Sequence, residues 1–150
     1  MNSKILLASL KAQDSNLNQL LNSLEQQKTA IINNDFATLE SAIDDEQKIL
    51  KLVEKEESNR LKIISDIIKQ NSLQVNNHSL AELLNKSGKL FEADLKEIQS
   101  LRKSLKEKAE KIKRLNLQLK EVIEFSRTLI KETMMLVAAK NKNAIVNKRV

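Results

Sequence analysis

Few side chains in this sequence could carry covalent or metal chemistry. His78 is the only histidine. It falls in the polar run 70–78, which reads as a loop, and a lone loop histidine is ordinarily just solvated. The acidic run Asp44-Asp45-Glu46 puts three carboxylates on consecutive positions, which point around a helix and cannot converge on one cation. Serines are plentiful, yet no base stands ready to activate one. Cysteine is absent, which removes disulfides, thiolate metal sites and thiol nucleophiles together. No HExxH, no Glu-x-x-His pair, no Walker loop and no nucleophile elbow occurs. The expectation is therefore no catalytic, metal-binding or cofactor-binding residue, no cofactor, and no enzyme.

A different kind of work is open to the residues near the C-terminal end. Leu117, Val122, Ile123, Phe125, Leu129, Ile130, Met134, Met135, Leu136 and Val137 occupy nearly every position of the heptad, whereas the apolar residues before Leu115 keep mostly to one stripe. The core track weakens in the same stretch, where Ser126 and Thr133 replace leucines and isoleucines. Apolar surface spread around a helix needs a covering partner. Two adjacent methionines suit a surface that adapts to more than one partner helix. These ten residues form the candidate partner-binding site.

The elements that position them follow from composition and period. The 150 residues include no proline and one glycine, Gly88, so tight turns and phosphate-cradling loops are disfavoured. Hydrophobic residues at 41% and charged residues at 31% suit elongated helices with one apolar stripe better than a compact globule. A first helix is expected over about 5–32, where Leu10, Leu17, Leu24 and Ile31 recur every seven residues beside Leu6, Leu20 and Leu21. Asn33-Asn34-Asp35 breaks it and offers a new N-cap. A second helix follows over about 36–69 with the stripe Phe36, Leu39, Ile43, Leu50, Val53, Ile64 and Ile67. Glu46, Glu57 and Arg60 share its track and are expected at the edge of the seam, with Glu56 or Glu57 near Arg60. Ser79-Leu80-Ala81-Glu82 fits a capping box opening a short helix over 80–87, which Gly88 ends or kinks. The last helix, about 89–139, carries Phe91, Ile98, Leu105, Ile112 and Leu119 on one heptad position. Leu101, Leu115, Val122, Leu129 and Leu136 hold the complementary one. The period is lost over 140–150, which reads as a flexible tail.

The fold class is thus all-α: one domain over 1–139, an elongated antiparallel three-helix bundle or coiled coil with a short extra helix and a long C-terminal helix. In an up-down-up arrangement the last helix outruns the second by ~24 Å at 1.5 Å per residue, and its free end coincides with the apolar site. If it slides back instead, its start hangs free and the short helix could cover it.

The N-terminal apolar stretch is too short for a signal peptide, and no run approaches the ~20 residues of a membrane span. A cytoplasmic location is expected. Residues 1–57 carry 6 Lys+Arg against 10 Asp+Glu, and residues 58–150 carry 20 against 10. The basic half invites nucleic acid, but with no Trp or Tyr and three Phe there is almost nothing on which a base could stack.

The layout resembles the FlgN-type flagellar export chaperones. The resemblance rests on the early leucine-rich helix (Leu17, Leu20, Leu21, Leu24), the Asn34-Asp35-Phe36 break with Leu39, and the Gln47-Lys48-Ile49-Leu50 helix. That helix leads to Glu57-Ser58-Asn59-Arg60-Leu61, and Arg114-Leu115-Asn116 stands on the last helix. It spans about residues 5–139. A second asparagine that the family often carries one turn after the Asn116 position is Leu119 here. The resemblance implies a chaperone of the flagellar type III secretion pathway that binds a C-terminal helical segment of hook-associated proteins and prevents their premature assembly. The export apparatus is a further implied contact. Such a chain would be a monomer or weak dimer with no small-molecule substrate. The alternative is a structural coiled-coil subunit or homo-oligomeric adaptor, which would show the same heptads.

Overall fold

A computed structural model of the chain describes residues 2–74, 79–87 and 91–149. They form α1 (Asn2–Ile32), α2 (Phe36–Gln70), α3 (Leu80–Ser87) and α4 (Leu95–Arg149). No strand occurs among the described residues, and the fold is an all-α helical bundle. Gly88 and His78 lie outside the described residues.

The α1–α2 turn forms where short polar side chains were expected to break the helix. Asn34 takes the left-handed backbone conformation (φ 54°), which asparagine tolerates better than most residues. Asp35 then caps α2: its carboxylate accepts the Thr38 backbone N–H at 3.1 Å and the Thr38 hydroxyl at 2.6 Å. These two bonds hold the Asp35 carboxyl below its usual range, the hydroxyl bond contributing most. Ser79 caps α3 in the same way, its Oγ accepting the Glu82 N–H at 3.1 Å.

Helix α1 is the spine. Its start meets the end of α2, since Ser9 Oγ donates to Glu56 Oε1 at 2.8 Å and Gln27 Nε2 donates to Glu46 Oε2 at 2.7 Å; α1 and α2 are antiparallel. Helix α4 runs parallel to α1. Ser3 bonds Asp94 (2.7 Å), Asp14 bonds Ser104 (2.8 Å) and Lys108 (2.6 Å), and Lys28 bonds Gln118 (3.0 Å). Two apolar clusters lie along this frame. Near the N-terminal end of α1, Leu6, Leu7 and Leu10 meet Ile64 and Ile67 of α2, Leu80, Leu83 and Leu84 of α3, Phe91, and Ile98 of α4. Further along, Leu20 and Leu24 meet Ile49, Leu115 and Leu119.

Several expectations are corrected. Helix α4 starts at Leu95 and not near Lys89: Phe91 lies wholly buried in a short turn closed by an Asp94 N–H bond to the Phe91 carbonyl at 2.9 Å. Its heptad position gave it a core place without a helical backbone. At the other end α4 continues to Arg149, past the expected limit at Ala139, because nothing in 140–149 interrupts backbone hydrogen bonding even where the apolar period has gone. The stripe of α2 is kept in its second half, where Ile64 and Ile67 are buried, and shifted by one position in its first half. Ala42 and Ile49 are buried, while Phe36, Ile43 and Leu50 of the expected stripe are exposed. The cause is polar. Glu46, Glu56 and Glu57 reach the buried Gln27, Ser9 and Gln13 of α1, and Ser23 Oγ donates to the Ala42 carbonyl at 2.7 Å. The seam between α1 and α2 is laced with hydrogen bonds as well as packed, and satisfying those groups turns the first half of α2 away from its most apolar column, which regains the core only at Ile64.

Candidate partner-binding site

The hydrogen bonds between α1 and α4 fix where the companions of α4 run out. Each pairs a residue of α1 with one about 90 positions later in α4, so the end of α1 at Ile32 lies level with Val122. Beyond that level α4 continues to Arg149 for ~40 Å at 1.5 Å per residue. The sliding-back arrangement is not the one adopted, and the overhang is longer than the ~24 Å expected because the helix does not stop at Ala139.

All ten site residues expected from the sequence lie on α4: nine at or beyond the last packed level, and Leu117 on the outer side of the packed stretch just before it. Val122 is half-buried; the other nine are exposed, among them Phe125 at 65%, Met135 at 64% and Leu136 at 73%. On the bundle side the burial is opposite in kind, with Leu115 and Leu119 buried against α1 and α2. Arg127, Ile130, Lys131, Met134, Met135 and Ala138 line a shallow depression along one side of the overhang. Its cations flank an apolar strip, a layout that seats an amphipathic helix with acidic edges. Thr128 turns its hydroxyl back onto the Glu124 carbonyl at 3.0 Å, which satisfies it within the helix.

A second exposed apolar column escaped the reading of the sequence. Phe36, Ile43 and Leu50 stand seven residues apart on α2, exposed by 73%, 38% and 41%. The signal was present: Gln13 and Gln27 share the heptad column of Leu6 and Leu20 on α1, and buried amides there call for polar partners on α2. The Glu56-or-Glu57 pairing with Arg60 is found, as a 2.5 Å ion pair between Glu57 and Arg60. The acidic groups are more than a solvated face, because Glu46 and Glu57 also bond across to α1.

Among the described residues no His, Cys, Asp and Glu side chains gather as a set able to hold a metal, and no helix is long and apolar enough to cross a membrane. The chemistry of the overhang is that of association. The family model described as FlgN protein matches residues 1–146. No curated protein and no solved structure matches the chain. A match over nearly the whole length, on a bundle whose last helix projects an uncovered apolar end, places the chain in the FlgN family of flagellar export chaperones.

Proposed function

We propose that this chain is a cytoplasmic, non-enzymatic chaperone that captures hook-associated proteins through the overhang of α4 and keeps them from assembling before export. The observation that carries the reading is the uncovered apolar surface from Leu117 to Val137, exposed where the companions of α4 end. A client's C-terminal amphipathic helix laid along Ile123, Ile130, Met134 and Val137 would remove that surface from water. At about 25 cal/mol per Å² of apolar area, even a few hundred Å² supplies several kcal/mol toward binding. The Met134–Met135 pair gives the surface the adaptability needed for more than one client.

The test compares the native chain with a variant carrying Val122→Ser, Phe125→Ser, Leu129→Ser and Met135→Ser. The probe is the C-terminal segment of each hook-associated protein of the same flagellum, titrated by calorimetry. At least tenfold weaker binding is expected from the variant, with circular dichroism showing unchanged helicity. Equal affinity in an equally helical variant would refute the assignment.

A further inference from the structure

One cavity in the bundle, of about 430 Å³, is lined by residues of all four helices. Leu17, Val53, Leu80, Leu105 and Ala109 give it apolar walls. A space of that size between helices is of the kind that takes a small molecule. Two polar atoms of its lining side chains have no partner among the described residues. Gln13 is 8% exposed; its Nε2 donates to Glu57 Oε2 at 2.8 Å, which leaves Oε1 buried with no donor to accept from. Arg60 gives a terminal nitrogen to Glu57, but its Nε is buried without an acceptor. Such groups are costly to leave unmatched. Both residues hold the same Glu57 carboxylate, so the donor and the acceptor they call for belong side by side. The charge is one-sided as well. Glu57 is already held by Gln13 and Arg60, while Arg102 and Lys106, one turn apart on the α4 wall, form no ion pair among the described residues.

We infer that this cavity is a binding site for a small amphiphilic acid: an apolar body that carries a carboxylate and, beside it, a hydroxyl. The carboxylate accepts from Arg60 Nε and answers the charge of Arg102 and Lys106. The hydroxyl donates to Gln13 Oε1, and the body lies among Leu17, Val53, Leu80 and Leu105. A plain fatty acid leaves Gln13 Oε1 unmatched, and a plain alcohol leaves the cations without a counter-charge. Walls drawn from all four helices suit a molecule small enough to be surrounded, and not a polypeptide that must also leave. The site lies within the bundle, ahead of the overhang, and does not depend on client capture there.

Calorimetric titration of the full chain with β-hydroxydecanoate should show one site per chain. Decanoate should bind at least tenfold more weakly, and so should decanol. Arg102→Ala with Lys106→Ala, both at exposed positions, should weaken β-hydroxydecanoate tenfold or more and leave decanol unchanged. Ala109→Trp, also at an exposed position, should fill the space and block all three ligands while the urea midpoint is kept. Gln13→Met should bring decanoate and β-hydroxydecanoate to equal affinity. That variant also loses the bond to Glu57, so the α4 substitutions decide the matter if it does not fold. A native chain that ignores β-hydroxydecanoate at millimolar concentration, as when water alone occupies the cavity, overturns the inference. So does decanoate binding as tightly as the hydroxy acid, or an affinity untouched by the α4 substitutions, as for adsorption on the apolar overhang. Tighter binding of acetyl-Ala-Ala-Leu with a free carboxylate overturns it in favour of a peptide end.

Discussion

Between α1 and α4 the carboxylate of Asp14 accepts hydrogen bonds from Ser104 and Lys108, with the Asp14 and Lys108 side chains exposed by 20% and 16%. Burial alone would push the carboxyl up. The bonds from Lys108 and Ser104 and the lysine's charge outweigh it, so the group titrates below the ordinary value of 3.8. A carboxyl depressed on folding lends stability that is complete above the unfolded value and lost as pH falls through the folded one. Asp14→Asn should therefore destabilise the bundle by about 2 kcal/mol at pH 7, measured by urea unfolding. The difference from the native chain should shrink once pH is well below 3.8. The exposed Lys11–Glu97 pair at 2.8 Å is a contrast at the same scale: Lys11→Ala should change stability by no more than ~0.5 kcal/mol. Nothing in the sequence around Asp14 marks it for this role. Its partner lies over 90 residues away, a distance that no local pattern spans.

Among the elements, α1 and α4 share one chemistry and have different surroundings. Leu24 is 1% exposed at the meeting of three helices, while Leu136 stands in the open. Leu24→Ala should cost about 2–5 kcal/mol and Leu136→Ala less than ~0.5 kcal/mol, read from urea midpoints. The α1–α2 turn offers a sharper case. Asn34 holds a positive φ, so Asn34→Val should destabilise by ~1–2 kcal/mol, whereas Asn34→Gly should be close to neutral. Heptads and caps made the existence of all four helices legible: Asp35 and Ser79 cap where short polar side chains interrupt the apolar rhythm. The rotation of α2 was less legible, because Phe36, Ile43 and Leu50 are the more apolar column and yet lost the core to Ala42 and Ile49. What decided it was the demand of Ser9, Gln13, Ser23 and Gln27 for partners, a property of the neighbouring helix.

For the molecule as a whole, stability and proposed function are divided along α4. The part before Val122 packs on α1, and from Ile123 to Lys142 the helix has no companion among the described residues. Ending the chain after Val122 should leave the urea midpoint of the bundle nearly unchanged while abolishing capture of hook-associated segments. A large loss of bundle stability would show that the overhang folds back after all.

Local sequence pattern sets the helical class, the number of helices, the limits of the first three, and the unusually apolar stretch from Leu117 to Val137. Each of these follows from local propensity, caps and a seven-residue period, which neighbouring residues settle among themselves. Long-range packing settles which column faces inward in the first half of α2, that α1 is the spine, and where α4 starts and loses its companions. Those outcomes depend on hydrogen bonds and packing between residues far apart in the chain, such as Gln27 with Glu46 and Asp14 with Lys108. A periodic sequence is compatible with several rotations and registers of its helices, and paired polar groups select one.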